Sequence, residues 1–373
     1  MKLRGNQKEF LEAIGAIQSI TDRKSTMPIL ANIRMQAKGD RAYLTATDLE
    51  VGTLVSFPAQ VFEEGELAIP SRQIYDIVRE LTPSIPIELE ALANNWLYIK
   101  SGNSQFRIAC LDAREFPALP ERERQVAFSS SGSTWVSVIG KVAFAMSKDE
   151  TRYHLNGVYV DGRPDGFFRL VATDGHRLAT IEQECPFPET YSAILPRKGV
   201  TELAKFAERA GEAPIEAYLG RKNLDIVSHG ERLVIRLIEG DFPKYEQVIP
   251  KDTAEDPFKV IDVRRESLVS ALRRVCILAN ERSFGIRVSF STGNLELSTQ
   301  GSDRGEGKEE MECTYRGEFF QIGFNARYFL DILNVMKSEI VTLKLRGPLH
   351  PCLIQSNDPS EAGWQAVLMP MRI

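Results

Sequence analysis

Ala172-Thr173-Asp174 repeats Ala46-Thr47-Asp48 after 126 residues, and Ser298-Thr299-Gln300 stands as a degraded copy another 126 residues on. A second landmark, an apolar strand end running into a helix start, keeps nearly the same period. It reads Ile69-Pro70-Ser71-Arg72, then Leu195-Pro196-Arg197-Lys198, then Phe324-Asn325-Ala326-Arg327. After each, apolar residues fall three apart (Ile74 and Ile77, Val200 and Leu203, Phe329 and Ile332), as one helix face requires. Phe116-Pro117 returns as Phe242-Pro243, again 126 residues later. An opening amphipathic helix recurs as Ile14 with Ile17, Ile139 with Val142, and Leu272 with Val275. Four landmarks in one order, close to one period, mark a threefold internal repeat, which sets the fold before any single element does.

The 373 residues therefore divide into three domains, expected at 1–125, 126–252 and 253–373, each near the usual single-domain size. Composition shifts at the joins, in Pro117 to Arg124 and in Pro250 to Pro257. Strands are expected from Arg41 to Thr47, Leu54 to Phe57, Trp96 to Lys100, Phe167 to Ala172, Leu233 to Leu237 and Glu339 to Leu345. Hairpin turns fit Gly39-Asp40 and Thr292-Gly293-Asn294. Two helices and several antiparallel strands per copy make an α+β class, with helices packed on one face of a sheet.

Hydrophobic residues at 43% and charged residues at 26% are ordinary globular values and exclude a disordered or fibrous chain. No apolar run approaches the ~18 residues of a spanning helix, and MKLRGNQKEF holds no apolar signal core. The five cysteines (Cys110, Cys185, Cys276, Cys313 and Cys352) are scattered and never form CxxC. Reduced thiols in the cytoplasm are expected, not a disulfide framework or a zinc ribbon.

Net charge is −5, which on its own disfavours nucleic acid. Charge counted by element reads differently. The six helix candidates (8–20, 71–81, 133–148, 196–210, 264–280, 325–338) carry +7 in total and leave −12 on the rest. For one helix this is a solvated face. Across homologous helices, a basic helical surface on an acidic body focuses a polyanion onto one place. Lys198, Arg273 and Arg274 are the expected phosphate-facing residues, and Lys205, seven residues after Lys198, shares its helix face.

Signals for catalysis fail. Gly301-Ser302-Asp303-Arg304-Gly305-Glu306-Gly307-Lys308 imitates a phosphate loop, but its glycine spacing is one too long and Glu309 replaces the Ser or Thr. His154, His176, His229 and His350 form no HExxH, and no metal site is expected. Asp174-Gly175-His176 admits an acid–base reading, but no nucleophile elbow accompanies it. The plainer reading of Thr-Asp is a turn in which Asp bonds its local backbone. The ending, Val367-Leu368-Met369-Pro370-Met371-Arg372-Ile373, reads either as a last edge strand or as an adaptable apolar binding lip.

Ala172-Thr173-Asp174-Gly175-His176-Arg177-Leu178-Ala179, Asp241-Phe242-Pro243-Lys244-Tyr245, Gly323-Phe324-Asn325 and Met369-Pro370-Met371-Arg372 resemble the bacterial DNA polymerase III beta subunit family, the sliding clamps. Thr26-Met27-Pro28-Ile29-Leu30 and Arg152-Tyr153-His154-Leu155-Asn156-Gly157 fit it too. The resemblance implies three clamp domains per chain and a head-to-tail homodimer, a six-domain ring around duplex DNA held without regard to sequence. It implies no cofactor and no catalysis. The partners it implies are the DNA polymerase III catalytic subunit, clamp-loader subunits, and other polymerases and repair proteins carrying a clamp-binding peptide; no membrane is involved.

The family's dimer contact maps onto Phe106 facing Ile277 and Leu278. Its DNA-contacting positions map onto Lys24, Asp149, Tyr153 and His154, of which Asp149 departs by carrying an acid. Its peptide pocket maps onto Leu155, Thr173, Gly175, His176, Arg177, Leu178, Pro243, Val248, Asn325, Tyr328, Val367, Leu368, Met369, Pro370, Met371 and Arg372. Arg177 is expected at the hydrated rim. Gln247 stands where an arginine is common, and Ser283-Phe284 is shifted against the family's aromatic. Two other classes stay open on the residues alone: an enzyme built on Asp174 and His176, and a repeat-built adaptor that never encircles DNA.

Overall fold

A computed structural model describes residues 1–22, 25–122, 128–163, 166–184, 190–302 and 305–372. Among them are six α-helices: α1 (Gln7–Ile17), α2 (Ser71–Glu80), α3 (Gly132–Val142), α4 (Arg197–Ala210), α5 (Arg265–Cys276) and α6 (Ala326–Asn334). Each matches one of the six expected helices, and several end earlier. After α3 the chain tightens into a 3₁₀ turn at Ala143–Ala145. Side-chain caps start α1 and α6. The Asn6 side chain accepts from Lys8 N at 2.8 Å and opens α1, and Asn325 accepts from Arg327 N at 2.9 Å and opens α6. Side-chain oxygens thereby satisfy amides that a helix start leaves unpaired.

Each helix then buries one stripe. In α1 it is Phe10, Ala13, Ile14 and Ile17; in α5 it is Leu268, Val269, Leu272 and Val275. Each large side chain so buried contributes about 1.5–3 kcal/mol. The hairpins at Gly39-Asp40 and Thr292-Gly293 form as expected, with Gly39 and Gly293 at φ 61° and 78°.

The chain packs as two compact units that cut the second sequence repeat in half. One holds Met1–Val136 and Lys198–Leu237, the other Ser137–Arg197 and Ile238–Ile373. The cut follows the sheets, which run across the joins between repeats. In the first unit a twelve-stranded antiparallel sheet starts at the free edge Ser104–Ala109. It crosses from the first repeat to the second where Val51–Glu63 pairs with Glu231–Arg236. In the second unit an eight-stranded sheet crosses from second to third repeat where Arg177–Glu184 pairs with Trp364–Leu368. A four-stranded sheet in that unit has Gly305–Glu312 as one free edge.

The last strand corrects one expectation. Trp364–Leu368 is not an edge, because Arg177–Glu184 and Cys352–Ser356 pair with it on either side. Pro370, which has no amide hydrogen to donate, falls beyond its end. The described cysteines Cys110, Cys276, Cys313 and Cys352 are free thiols, and burial pushes Cys110 up to about 12. Cys185 lies outside the described residues. Among the described residues no helix is long and apolar enough to cross a membrane.

Candidate functional site

Thr173-Asp174-Gly175-His176-Arg177 forms the turn read from the sequence. Asp174 Oδ1 accepts from His176 N at 2.9 Å and Arg177 N at 3.0 Å. Thr173 Oγ1 accepts from Gly175 N at 3.1 Å and donates to Arg177 O at 2.7 Å. Gly175 sits at φ 87°, and a Cβ there would meet Arg152 Nη1 at 3.0 Å, so both backbone and space favour glycine. Asp174 is thus spent on the turn and on Arg177, which removes it from acid–base work.

Directly after the turn, Leu178 pairs with Val367 across the join of the two repeats. Around them opens a cavity of about 180 Å³, lined by Leu155, Thr173, Gly175, Arg177, Leu178, Pro243, Tyr245, Val248, Val367 and Met369. Behind the lining, Leu178, Tyr245 and Val367 join Val171 and Leu353 in one buried cluster. Apolar walls with few polar groups suit an inserted apolar side chain and offer little to a charged one.

Tyr245 is the lining residue that the sequence reading missed. Its ring sits in the cluster while its hydroxyl donates to Asp161 Oδ2 at 2.8 Å. Burial, then that bond, raises its phenol well above the ordinary range. Asp161 is in turn held by Arg163. The available signal was the Asp241-Phe242-Pro243-Lys244-Tyr245 motif, although nothing in it says which aromatic faces inward.

Arg177 is a correction. It is not a hydrated rim group: its side chain is 8% exposed. Nε meets Asp174 Oδ2 at 3.1 Å, Nη1 meets Asp331 Oδ2 at 2.5 Å, and Nη2 donates to Phe144 O at 2.8 Å. The guanidinium lies over the Tyr328 and Phe144 rings, 4.5 and 5.2 Å from their centroids. It ties the second-repeat turn to α6 of the third repeat.

The other expected pocket residues do not line the cavity. His176 stacks on Tyr328 with centroids 5.9 Å apart. Asn325 caps α6 and donates to Ser283 O at 2.9 Å. Leu368 is fully buried in the strand, and Pro370 and Met371 are half-buried with Arg372 exposed. The tail is pinned twice, by Met369 N donating to His176 O and Met371 N donating to Gly323 O, each at 2.9 Å. Of the departures, Gln247 is exposed at the end of a short 3₁₀ turn. Phe284 adopts φ 48° under the Arg327 guanidinium, 3.4 Å from its centroid.

Family models of the DNA polymerase III beta subunit cover nearly all of the chain. The N-terminal domain matches residues 1–120, the central domain 131–244 and the C-terminal domain 246–372. The chain belongs to the DNA polymerase III beta subunit family. The beta sliding clamp of Caulobacter vibrioides is 33% identical over 381 residues, covering all of both chains. The crystal structure of DNA polymerase III subunit beta from Pseudomonas aeruginosa superposes over all of both chains with a TM-score of 0.94 at 30% identity. A sliding clamp from Bartonella birtlesii bound to griselimycin gives 0.94 at 31%, again over all of both chains. The function is that of a DNA sliding clamp, a processivity factor with no catalytic role.

The remaining expected residues fall on other surfaces. Phe106 is 38% exposed on the free edge Ser104–Ala109. Ile277, just past α5, is 73% exposed, and Leu278 beside it is half-buried. Tyr153 is exposed and meets His154 edge to face at 5.7 Å. Asp149 caps their short 3₁₀ segment. A bond from the Thr151 hydroxyl, then Thr151 N and Arg152, holds its carboxyl below the ordinary range. Lys24 lies outside the described residues.

Three of the counted cations have an acid beside them. Lys198 Nζ donates to Ile20 O at 3.0 Å and pairs with Asp48, so it braces the first-repeat turn. Lys205 pairs with Glu202 at 2.8 Å. Arg274 forms a two-pronged bond to Glu309, at 2.7 Å on each prong. Arg273 stays exposed.

Proposed function

We propose that two copies of the chain close head to tail into a ring around duplex DNA, and that the cavity beside Leu178 and Val367 receives an apolar peptide from each protein the ring tethers. The domains are then 1–125, 126–252 and 253–373, and the protein works in the cytoplasm on replicating DNA. The apolar cavity carries the partner half of this reading, since walls of Leu155, Leu178, Val248, Val367 and Met369 fit a peptide anchor. A clamp at 31% identity is bound to griselimycin, and the same compound is expected in this cavity. The catalytic subunit of DNA polymerase III, clamp-loader subunits, other polymerases and repair proteins compete for it.

The ring half is supported by two unpaired sheet edges, Ser104–Ala109 and Gly305–Glu312. Among the described residues neither is paired on its outer side, and such an edge invites another strand. The first bears Phe106 and Arg107; the second bears Glu306, Glu310 and Glu312, and α5 beside it is followed by Ile277 and Leu278. Such a contact is heterologous and closes only if the rotation does. Tyr153, His154, Arg273 and Lys24 supply phosphate contacts that carry no sequence information.

The ring is tested by retention. Loaded protein stays on nicked circular duplex and leaves a linear duplex with free ends. Phe106→Ala shifts the mass in solution toward the monomer, at a cost of about 2–5 kcal/mol if the ring seals that side chain. Equal retention on circular and linear DNA contradicts encirclement.

A further inference from the structure

Away from the cavity, α3 buries a charge that no part of the proposed function uses. Lys141 and Glu361 form an ion pair whose side chains are 8% and 1% exposed. Lys141 belongs to the second repeat, and every side chain or carbonyl its amine engages belongs to the third. Nζ pairs with Glu361, donates to Val335 O at the end of α6, and lies 5.5 Å from the centroid of the Trp364 indole. Trp364 Nε1 donates back to Lys141 O at 3.0 Å.

Glu361 is saturated from the other side. Its carboxylate accepts from Lys337 N at 2.8 Å, Ser338 N at 3.2 Å and the Ser356 hydroxyl at 2.6 Å. Burial alone would raise this carboxyl, yet Lys141, Ser356 and Lys337 together hold it below the ordinary range. The pair's hydrogen bonds are complete on both sides, and removing one member leaves the other without its partner in the interior.

Its place in the chain gives it a consequence. Trp364 opens the strand whose Val367 lines the cavity and whose exit, Met369, forms the lip. Lys141 fixes the first residue of that strand against a helix of the preceding repeat. At the matching position of α1 the first repeat has Ala16, which offers no such grip.

We propose that Lys141 is a positioning residue for the partner site: paired with Glu361, it locks Trp364 and so sets the third-repeat wall of the cavity. The proposal rests on the cavity being the partner site, and griselimycin serves as the probe. With dimer mass and DNA retention kept as controls, Lys141→Met binds griselimycin about ten-fold more weakly and shifts the Trp364 emission. A second change, Glu361→Gln on that background, removes the stranded charge and restores stability, while affinity stays about as weak as in the single variant because the grip on Trp364 is still missing. A loss that came only from lowered stability would be reversed together with it.

If Lys141→Met does not fold, Trp364→Phe removes the indole N–H held by Lys141 O together with part of the buried ring, and costs about three-fold. Wild-type affinity in Lys141→Met, or in Trp364→Phe where that variant stands in, overturns the proposal. So does a double variant that regains wild-type affinity together with its stability. A wild-type protein that does not bind griselimycin removes the cavity reading itself, and the proposal with it.

Discussion

The first-repeat turn at Thr47–Val51 and the second-repeat turn at Thr173–Arg177 share one hydrogen-bond skeleton and present different surfaces. In the first, Asp48 Oδ1 accepts from Glu50 N and Val51 N at 3.0 and 2.7 Å, and Thr47 Oγ1 accepts from Leu49 N at 3.0 Å. These bonds correspond one for one to those of Asp174 and Thr173. The middle residue has positive φ in both, 75° at Leu49 and 87° at Gly175. The difference lies after the turn. Where the second repeat has Leu178 beside an open cavity, the first has Gly52, and a Cβ there would overlap Leu119 Cδ2. The chain's own linker occupies that place.

The charges are also exchanged. Asp48 takes Lys198 from α4, whereas Asp174 takes Arg177 from within its own turn, and Arg177 reaches on to Asp331 of α6. An inherited turn is therefore not a site. The side chains that follow it decide whether the join between repeats is filled or left open.

The comparison breaks most readily at Arg177. Arg177→Ala leaves Asp174 and Asp331 uncompensated. Asp331 is half exposed, so the expected loss is about 2–3 kcal/mol, below the ~3–5 of a fully buried pair. Griselimycin binding should weaken with it, since the turn loses its tie to α6. Denaturant midpoints and binding isotherms report both; a change of stability near zero returns Arg177 to the rim.

The middle residues sharpen the contrast. Gly175→Leu imposes a side chain on left-handed backbone and against Arg152, for about 1–2 kcal/mol. Leu49→Gly relieves the same backbone conformation but adds freedom to the unfolded chain, leaving stability within about 1 kcal/mol of the parent. Equal losses in the two unfolding curves would show that the turns are not equivalent.

The smallest effect concerns charge. Arg273→Ala lowers the slope of DNA association against salt by about 1, whereas Arg274→Ala lowers it less because Glu309 already neutralises that guanidinium. Identical slopes for the two variants remove the distinction.

Much of this was legible in the sequence because it is local. Helix stripes follow from spacing, the Asp turns from side chain and backbone two or three residues apart, and the threefold repeat from landmarks with a common period. The third copy lost its carboxylate at Gln300, and there the chain runs on as the strand Asn294–Ser302. What escaped is long-range. Arg177 reads as a rim residue until Asp331, 154 positions away, meets it. The helix charge count leaves out Asp48 beside Lys198 and Glu309 beside Arg274, acids that lie outside the helices. Strand pairing across the joins, which splits the second repeat between two compact units, has no signature in any one repeat.

The central claim is that of two homologous turns only the second opens a partner site. A crystal structure of the protein with griselimycin tests it most directly. The account predicts the compound against Leu178, Val367 and Met369, with the Thr47–Val51 turn still covered by Leu119. Griselimycin seated beside Gly52, or bound with Leu178 and Val367 untouched, would contradict it.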